Sequence, residues 1–375
     1  MMKKIILFFV ISVAVSLSAC TGNGSVAGKA GGDTVTFKYA RHISIVKYNG
    51  YSVVSLVDPW KQGKILHTYV LAPRSVSLPT SLPEGTVVRT PLTRSAVFTT
   101  AHCQLLEYLG KGGSIKGVAD LKYILIPDIQ QRVRQKKIVD CGESMSPIVE
   151  RIIDLNPDGI ILSPFENSGG YGRLGNIGIP LIEAADYMET SPLGRAEWMK
   201  FYGMLYGCET LADSLFRAVD STYTALKRAA CKLPVGHSIL TERKTGSVWY
   251  CPAGGSTIGQ MIRDANGRYA FSYDRHSGSL ALSFEQVLDK AADCDVWAFK
   301  YNGEKPMSKA DLLAEFQGYK ELRAFKKGNI YQCNVSKRSY FEEVPFRPDY
   351  LLRDMILLLH PDRKQFGSLR YYERY

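Results

Sequence analysis

Short apolar runs with a period of two occupy the part of the chain that follows residue 33. Thr34–Phe37 and Ser52–Val57 alternate between apolar and polar positions, which predicts strands. Asn49-Gly50 lies between them and is typical of a two-residue hairpin turn. We therefore predict a β-rich extension over residues 34–93.

From residue 94 the pattern changes, because short continuous apolar runs alternate with stretches of helical periodicity. Ala96–Phe98 and Ile160–Leu162 are apolar runs, and residues 146–155 form a helical stretch with Ser146 as the predicted N-cap. Strands that alternate with helices through short turns predict a largely parallel sheet. We assign residues 94–208 to a first α/β lobe.

Two helical stretches with no strand between them follow, over residues 192–206 and 210–230, the second with Thr210 as its predicted N-cap. A helix of about 21 residues spans about 30 Å, the width of a small domain. We therefore predict that residues 209–231 connect the first lobe to a second one. Residues 232–375 repeat the alternation of strands and helices and form that second α/β lobe.

The N-terminus has the features of an export signal. Two lysines precede the apolar run Ile5–Val15. Leu17-Ser18-Ala19-Cys20 resembles the bacterial lipobox, which implies that Cys20 is lipidated after cleavage. A stretch rich in Gly, Ser and Asn follows, which suits a flexible tether. We predict a signal peptide over residues 1–20 and a tether over residues 21–33, with the protein anchored to a membrane of the cell envelope.

Composition and charge narrow the classes of partner. The 375 residues are 45% apolar and 22% charged, which is close to the average for soluble folded proteins. The formal charge of +11 comes from basic residues that are mostly dispersed, as on a solvated surface, so nucleic-acid binding is not predicted. Eight cysteines include Cys20, and the remaining seven cannot all pair within one chain.

The sequence lacks the familiar catalytic signatures. It has no P-loop, no H-E-x-x-H, no G-x-S-x-G and no C-x-x-C. We therefore predict no catalytic residue, no metal site and no intrinsic cofactor. Gly254-Gly255-Ser256 opens a helix and either holds an anion or only forms a tight turn. His102 with Glu166 is the best titratable pair for the alternative that the protein is an enzyme.

Four stretches carry a resemblance to one family. Residues 148–161 resemble the signature E-x-I-x-x-L-x-P-D-x-I/V of periplasmic binding proteins for ferric siderophores, haem and vitamin B12. Residues 94–102, 282–297 and 347–361 resemble the first strand and helix start, the second-lobe helix and strand, and the C-terminal helix of that family. The resemblance covers about residues 94–360. It implies an α/β fold of two Rossmann-like lobes joined by a long bridging helix, with the β-rich N-terminal extension outside this pattern.

The resemblance also implies a function. A protein of this type captures an iron complex (a ferric siderophore or haem) between its lobes and, as a monomer, delivers it to an ABC permease dimer in the inner membrane. One surface glutamate in each lobe pairs with arginines of the permease. The matching positions here are Glu150 and Glu285.

Open α/β sheets bind ligands at the carboxyl ends of their strands, which places the ligand between the two lobes. The side chains expected there offer aromatic rings for stacking and polar or basic groups for negative charge. They are Thr99, Thr100, His102, Phe165, Glu166, Tyr171, Trp249, Tyr250, Lys300, Tyr301, Arg338, Tyr340 and Phe341. The sequence leaves three alternatives open: a corrinoid ligand, an envelope scavenger without an ABC partner, and a chelatase-like enzyme of the same fold.

Overall fold

The computed structural model describes residues 31–166 and 170–375. The predicted signal peptide, the lipidated Cys20 and most of the predicted tether lie outside these residues. Within the described part of the chain, no helix is both long enough and apolar enough to cross a bilayer.

The N-terminal extension folds as a sheet of its own. Its strands are β1 (Asp33–Thr34), β2 (Ile43–Tyr48), β3 (Tyr51–Val57), β4 (Ile65–Pro73) and β5 (Thr86–Thr90). They lie in sequence order, with β4 and β5 parallel and the other pairs antiparallel. Tyr48 lies opposite Tyr51, which confirms the turn predicted at Asn49-Gly50. Gly50 has a φ of +86°, a conformation that favours glycine.

The described residues of the first lobe form seven strands. They are β6 (Ser95–Val97), β7 (Ile115–Val118), β8 (Val139–Asp140), β9 (Gly142–Glu143), β10 (Ser146–Pro147), β11 (Gly159–Leu162) and β12 (Leu181–Glu183). Five of them form a parallel sheet in the order β12-β11-β6-β7-β8, and β9 and β10 form a separate hairpin. The helices α1 (Thr100–Tyr108), α2 (Pro127–Arg134) and α3 (Val149–Leu155) lie among these strands.

The helix start predicted at Ser146 is wrong. Ser146 is not an N-cap, because Ser146 and Pro147 pair with β9 and the N–H of Ile148 donates to the carbonyl of Cys141 at 2.8 Å. Helix α3 therefore begins only at Val149. Helix α2 was not predicted, and only Ile129 is buried on it, so its apolar pattern is weak.

The region between the two parallel sheets is helical, with α4 (Pro192–Glu197), α5 (Met199–Leu205) and α6 (Glu209–Cys231). The single helix predicted over residues 192–206 is thus two helices, which meet at the buried Trp198. The long helix α6 is confirmed. Its N-cap position is Cys208 and not Thr210, which lies inside the helix.

The second lobe also has a mainly parallel sheet, and it has a small antiparallel sheet in addition. Its strands are β13 (Ser238–Thr241), β14 (Lys244–Thr245), β15 (Val248–Pro252), β16 (Arg268–Tyr269), β17 (Ser279–Leu282), β18 (Val296–Tyr301), β19 (Ile330–Asn334) and β20 (Glu373–Arg374). The main sheet has the order β16-β13-β18-β19-β20 and is parallel except for β20. The antiparallel sheet β14-β15-β17 was not predicted.

Six helices surround these strands. They are α7 (Thr257–Asp264), α8 (Phe284–Ala291), α9 (Lys309–Glu315), α10 (Arg323–Lys327), α11 (Tyr340–Glu343) and α12 (Pro348–Leu359). Helix α6 packs against α5 of the first lobe and α12 of the second. The predicted fold class, an α/β protein with two parallel-sheet lobes, is confirmed.

The glycines before α7 have a packing role. A Cβ atom on Gly254 would lie 2.5 Å from the carbonyl oxygen of Ser272, and one on Gly255 would collide with the carbonyl of Arg275. Neither glycine has a positive φ. Close approach of two backbone segments therefore explains both glycines, and the positive φ expected for a tight turn is not the reason.

In each lobe an aspartate joins two strands at their amino ends. Asp158 precedes β11 and accepts hydrogen bonds from the N–H groups of Thr93 and Arg94, ahead of β6, at 2.8 and 3.0 Å. Asp295 precedes β18 and accepts from the N–H and hydroxyl of Ser238, in β13, at 2.9 and 2.8 Å. Ligands of α/β sheets bind at the opposite ends of the strands, so these aspartates support the sheets.

The two lobes meet where α11 packs against α1. Glu342 of α11 is only 2% exposed. Its carboxylate accepts hydrogen bonds from the hydroxyl of Thr100 at 3.0 Å and from the N–H of Leu125 at 3.1 Å, both in the first lobe. This contact fixes the first lobe to the second.

Two buried carboxylates attach the N-terminal sheet to the first lobe. Glu197 accepts hydrogen bonds from the N–H groups of residues 38–40 at 2.7 to 3.0 Å. Glu189 accepts those of residues 41–42 at 2.9 to 3.0 Å. Hydrogen bonds to an ionised acceptor are stronger than neutral ones, so the segment between β1 and β2 is firmly held on the lobe.

Candidate functional site

Each lobe has a pocket at the carboxyl ends of its parallel strands. The first-lobe pocket has a volume of about 530 Å³ and the second-lobe pocket about 420 Å³. Both adjoin the contact between α1 and α11. Thr99 lines the first pocket and precedes Thr100, whereas Lys300 lines the second and lies 5.3 Å from the ring centre of Tyr340, at the start of α11. Ligands of α/β sheets bind at this end of the strands.

The first-lobe pocket is mainly apolar and aromatic. Its larger side chains come from the ends of β6 and β11, from the hairpin of β9 and β10, and from the loops around β12. They are Phe98, Met145, Phe165, Tyr171 and Tyr187. Aromatic walls of this kind suit a flat or apolar ligand, which they can contact over a large area.

A buried chain of polar groups fixes Thr99 in this wall. Its hydroxyl bonds Nδ1 of His102, and Nε2 of His102 bonds the carboxylate of Asp186 at 2.9 Å. Asp186 is fully buried and also accepts hydrogen bonds from Arg195 and Tyr202, each at 3.0 Å. Burial disfavours the carboxylate, but the interactions with His102 and Arg195 outweigh it and lower the pKa of Asp186. Asp186 therefore stays ionised and orients Thr99 through His102.

A second buried carboxylate lies behind Tyr171. Glu183, the last residue of β12, is 7% exposed and accepts a hydrogen bond from the Tyr171 hydroxyl at 2.6 Å. The aromatic ring that lines the pocket is thereby joined to the edge of the first-lobe sheet.

The second-lobe pocket is charged. Glu242 and Arg243 directly follow β13, and Glu242 forms an ion pair with Lys300 of β18. Burial disfavours the charge on Lys300, but its attraction to Tyr340 and Glu242 outweighs this and raises the pKa of Lys300. Lys300 is therefore positively charged at neutral pH, close to the surface of the pocket.

Glu242 has an unusual backbone conformation. Its φ is +63°, in the left-handed region that residues other than glycine rarely adopt. Its carbonyl accepts a hydrogen bond from the indole of Trp297 at 2.8 Å, while its carboxylate pairs with Lys300. Strained residues that are fixed in this way cluster at ligand sites.

Several predicted ligand contacts lie in or beside the two pockets. Five of them line the pockets, namely Thr99, Phe165, Tyr171, Tyr250 and Lys300. Glu166 is exposed directly after Phe165, and Phe341 is exposed beside Tyr340. Tyr301 and Arg338 line a separate hollow near β20, and only 4% of Tyr301 is exposed.

The burial of Trp249 contradicts its expected role in ligand stacking. Trp249 is fully buried, its indole N–H donates to the carbonyl of Thr241 at 2.9 Å, and its ring packs against Trp297 and Tyr319. The physical reason is the position of Trp249 in β15, where successive side chains point to opposite faces. Trp249 therefore points into the core and Tyr250 points outward, with about half of its surface exposed.

Three other predicted contacts are engaged inside the protein. His102 is 2% exposed and bonds Asp186, so it does not form the candidate pair with Glu166. The hydroxyl of Thr100 is used by the contact between the lobes. Tyr340 is buried beside Lys300. His102 and Tyr340 thus support the pocket walls from behind.

The two glutamates expected to dock on a permease occupy equivalent positions. Glu150 is the second residue of α3 and Glu285 the second residue of α8, and both are exposed. Hydrogen bonds from their own backbone N–H groups lower the pKa of both carboxyls, helped by Arg173 for Glu150 and by Ser283 for Glu285. A helix N-terminus favours negative charge, so each lobe presents one ionised carboxylate.

Sequence reasoning missed several residues that line the pockets, among them Met145, Tyr187, Glu242 and Arg243. A signal was present for Glu242 and Arg243, because they directly follow the apolar pair Ile239-Leu240 of β13, and ligand contacts are expected at strand ends. No comparable signal marks Met145, since the hairpin that carries it has strands of only two residues each. Among the described residues, no group of three or more His, Cys, Asp or Glu side chains is placed to bind a metal ion.

A sequence model of the family described as periplasmic binding protein matches residues 96–335, which is more than half of the chain. The chain belongs to the periplasmic binding protein family. Members of this family are solute-binding proteins of ABC importers. The resemblance to this family that the sequence motifs indicated is therefore confirmed.

Relatives extend the match beyond the two lobes. This periplasmic binding protein is 26% identical over 370 residues to an uncharacterized lipoprotein of Methanocaldococcus jannaschii, with 91% of this chain and 86% of the relative covered. Residues 94–375, which hold the two lobes, make up a clearly smaller share of the chain than the 91% that is aligned. The alignment therefore includes much of the N-terminal sheet.

Solved structures share the fold of this periplasmic binding protein. An ABC-type Fe³⁺-hydroxamate transport protein from Saccharomonospora viridis has 19% identity and a TM-score of 0.56, and the match covers 74% of this chain and 94% of that one. A periplasmic heme binding protein from Pseudomonas aeruginosa has 15% identity and a TM-score of 0.57, with 72% and 93% covered. At these identities the likeness concerns the fold alone.

Proposed function

We propose that this periplasmic binding protein is lipid-anchored through Cys20 and captures an iron complex, a ferric siderophore or haem, which it delivers to an ABC permease. The observation that carries the proposal is the different chemistry of the two pockets beside the contact between the lobes. The first is aromatic and apolar, and the second contains Lys300 and Arg243.

A ligand that matches both pockets has an apolar or aromatic part and a negatively charged part. Phe165 and Tyr171 would stack on the first part, and Lys300 would meet the second. Since Lys300 is already paired with Glu242, a ligand carboxylate would exchange partners with an ion pair and would not meet a free cation. Haem, with its flat ring and two carboxylates, and anionic ferric chelates both have this combination.

A corrinoid is a second candidate, because the rims of the pockets carry exposed aromatic side chains. Phe165, Tyr250 and Phe341 are 42%, 49% and 49% exposed. Rings at the rims could cover a flat ligand that is larger than either pocket alone would enclose. The alternative of a chelatase-like enzyme loses its best candidate pair, since His102 bonds Asp186 and not Glu166.

Titration calorimetry with a ferric hydroxamate siderophore, haemin and cyanocobalamin tests the proposal. Calorimetry is preferable to tryptophan fluorescence, because Trp198, Trp249 and Trp297 are fully buried. We expect one of the three compounds to bind with micromolar or tighter affinity. Phe165→Ala should weaken that binding by about fivefold, which is the usual contribution of one aromatic contact to affinity.

Tyr123→Ala is the matched control, because Tyr123 is an exposed aromatic residue that does not line either pocket. It should leave the affinity unchanged. Failure of a correctly folded protein to bind any of the three compounds would contradict the proposal. Equal effects of the two substitutions would contradict the assignment of the first-lobe pocket.

A further inference from the structure

The N-terminal sheet contacts the wall of the first-lobe pocket at the edge strand β12. Unpaired edge strands need cover, and β4 supplies it through side chains. The hydroxyl of the fully buried Tyr69 donates to the carbonyl of Leu181 at 3.0 Å and accepts from the N–H of Glu183 at 2.8 Å. The extension thus satisfies backbone groups of β12 that no strand pairs.

The same face of β4 also reaches the side chain of Glu183. His67 lies two residues before Tyr69, so both point to one face, and their rings stack with centres 4.4 Å apart. Nδ1 of His67 is 3.3 Å from one carboxylate oxygen of Glu183, and its Nε2 bonds the Thr86 hydroxyl of β5 at 2.8 Å. The second oxygen of Glu183 accepts the Tyr171 hydroxyl at 2.6 Å. One buried carboxylate therefore joins the extension to a ring of the pocket.

This arrangement restrains Tyr171. A hydrogen bond from a phenol to an ionised carboxylate is short and strong, so it limits rotation and tilting of the ring. A buried carboxylate in turn needs partners, because an unpaired one is costly. His67 is the side chain of the N-terminal sheet that faces this carboxylate, with Nδ1 3.3 Å from an oxygen of Glu183 that accepts no hydrogen bond from the described residues.

We propose that Glu183 is a positioning residue of the ligand site and that the N-terminal sheet, through His67, sets the position of the Tyr171 ring. The proposal rests on the proposed function, since it takes Tyr171 to contact the ligand. The extension, which Glu189 and Glu197 attach to the first lobe, then also contributes to the binding site.

Hydrogen–deuterium exchange tests the positioning without any ligand. Glu183→Gln removes the charge at nearly constant shape, and His67→Leu removes the ring nitrogen that faces Glu183. We expect both to increase amide exchange in residues 170–176 by several-fold, because Tyr171 would lose a strong restraint. Glu189→Gln is the matched control: Glu189 is also a buried carboxylate that binds the extension, but it does not contact Tyr171. Unchanged exchange in residues 170–176 of Glu183→Gln would overturn the proposal.

A double-mutant cycle then tests whether Glu183 acts through Tyr171. With haemin as the probe, Glu183→Gln should raise Kd about three- to tenfold, because a hydrogen bond to a carboxylate is replaced by a weaker one to an amide oxygen. In a Tyr171→Phe background the same change should have no further effect, and His67→Gln, which keeps a donor, should bind better than His67→Leu. Equal losses in both backgrounds would show that Glu183 supports the fold only and would refute the positioning role. If haemin does not bind the wild-type protein, haem is excluded from the proposed function, and the exchange experiment alone decides the positioning.

Discussion

At the scale of single residues, buried carboxylates hold side chains and backbone segments of this protein in place. Asp186 and Glu183 orient side chains of the first-lobe pocket, and Glu189 and Glu197 hold the N-terminal sheet. All four lie between residues 183 and 197, so one short segment of the chain supports both the pocket and the extension.

Asp295, a partly buried carboxylate, allows a similar test away from the pockets. Burial disfavours its carboxylate, but the N–H and hydroxyl of Ser238 and the charge of Arg323 outweigh burial and lower the pKa of Asp295. We expect Asp295→Asn to lower the free energy of unfolding by about 1–3 kcal/mol at pH 7, as for a weakened buried hydrogen bond. Urea denaturation measures this change, and ligand affinity should not change because Asp295 lies at the amino end of β18.

The stability that Asp295 contributes should decrease as the pH falls. Because the folded-state pKa is lowered, the stability that Asp295 contributes is fully present above the unfolded-state pKa of about 3.9 and is lost as the pH falls towards the folded-state pKa. The stability difference between wild type and Asp295→Asn should therefore shrink when urea denaturation is repeated below about pH 4. Asp289→Asn, at an exposed site, is the control. A difference that is the same at both pH values would contradict the role of the ionised carboxylate.

Sequence patterns predicted which residues are near the strand ends but not which way each side chain points. Trp249 and Tyr250 were both expected at the ligand. Only the pairing of β15 with β14 and β17 decides that Trp249 is buried and Tyr250 exposed. The pairing with β17 joins segments about 30 residues apart, with Trp249 opposite Leu282, so local sequence does not contain it.

At the scale of elements, the sequence predicted those whose signals are local. Helix α6 has a long apolar periodicity, and β6 and β11 have short continuous apolar runs, so these elements were recognised. The missed elements, α2 and the sheets of β9-β10 and β14-β15-β17, are short or have few buried residues. Their stability depends on tertiary contacts, which propensity alone does not reveal.

The contact between α1 and α11 is the element-scale feature that can be tested most directly. Glu342→Ala leaves the Leu125 N–H and the Thr100 hydroxyl without their carboxylate acceptor. We expect the free energy of unfolding to fall by about 1–3 kcal/mol. Thr100→Val should cost less in the Glu342→Ala background than in wild type, since both changes break the same hydrogen bond.

Urea denaturation of the two single variants and the double variant measures this coupling. Glu343→Ala serves as the comparison, because the main partners of Glu343, Arg370 and Tyr371, are in its own lobe. Thr100→Val should therefore be additive with Glu343→Ala. Additivity with Glu342→Ala as well would mean that the hydrogen bond does not fix the lobes together.

At the scale of the whole molecule, the two lobes place equivalent features around the pockets. Strand β10 contributes Pro147 to the first pocket and leads to Glu150 in α3. Strand β17 contributes Ser279 to the second pocket and leads to Glu285 in α8. In each lobe the glutamate that is expected to dock on a permease thus follows a strand that borders the pocket, as expected if one partner has to receive the ligand from both lobes.

This arrangement predicts that substitutions of Glu150 and Glu285 impair delivery of the ligand to the permease but not ligand binding. Exposed carboxylates contribute to the orientation and rate of docking more than to affinity, so Glu150→Gln and Glu285→Gln should leave the Kd for ligand unchanged. In membranes that contain the permease, each change should reduce ligand-stimulated ATP hydrolysis, and the double variant should reduce it more. Glu143→Gln and Asp289→Asn, at exposed sites of the same two lobes, are the controls and should have no effect. If the double variant stimulates ATP hydrolysis as well as wild type, the two glutamates do not dock on the permease. If the wild-type protein binds its ligand but never stimulates ATP hydrolysis, the scavenger without an ABC partner becomes the better explanation.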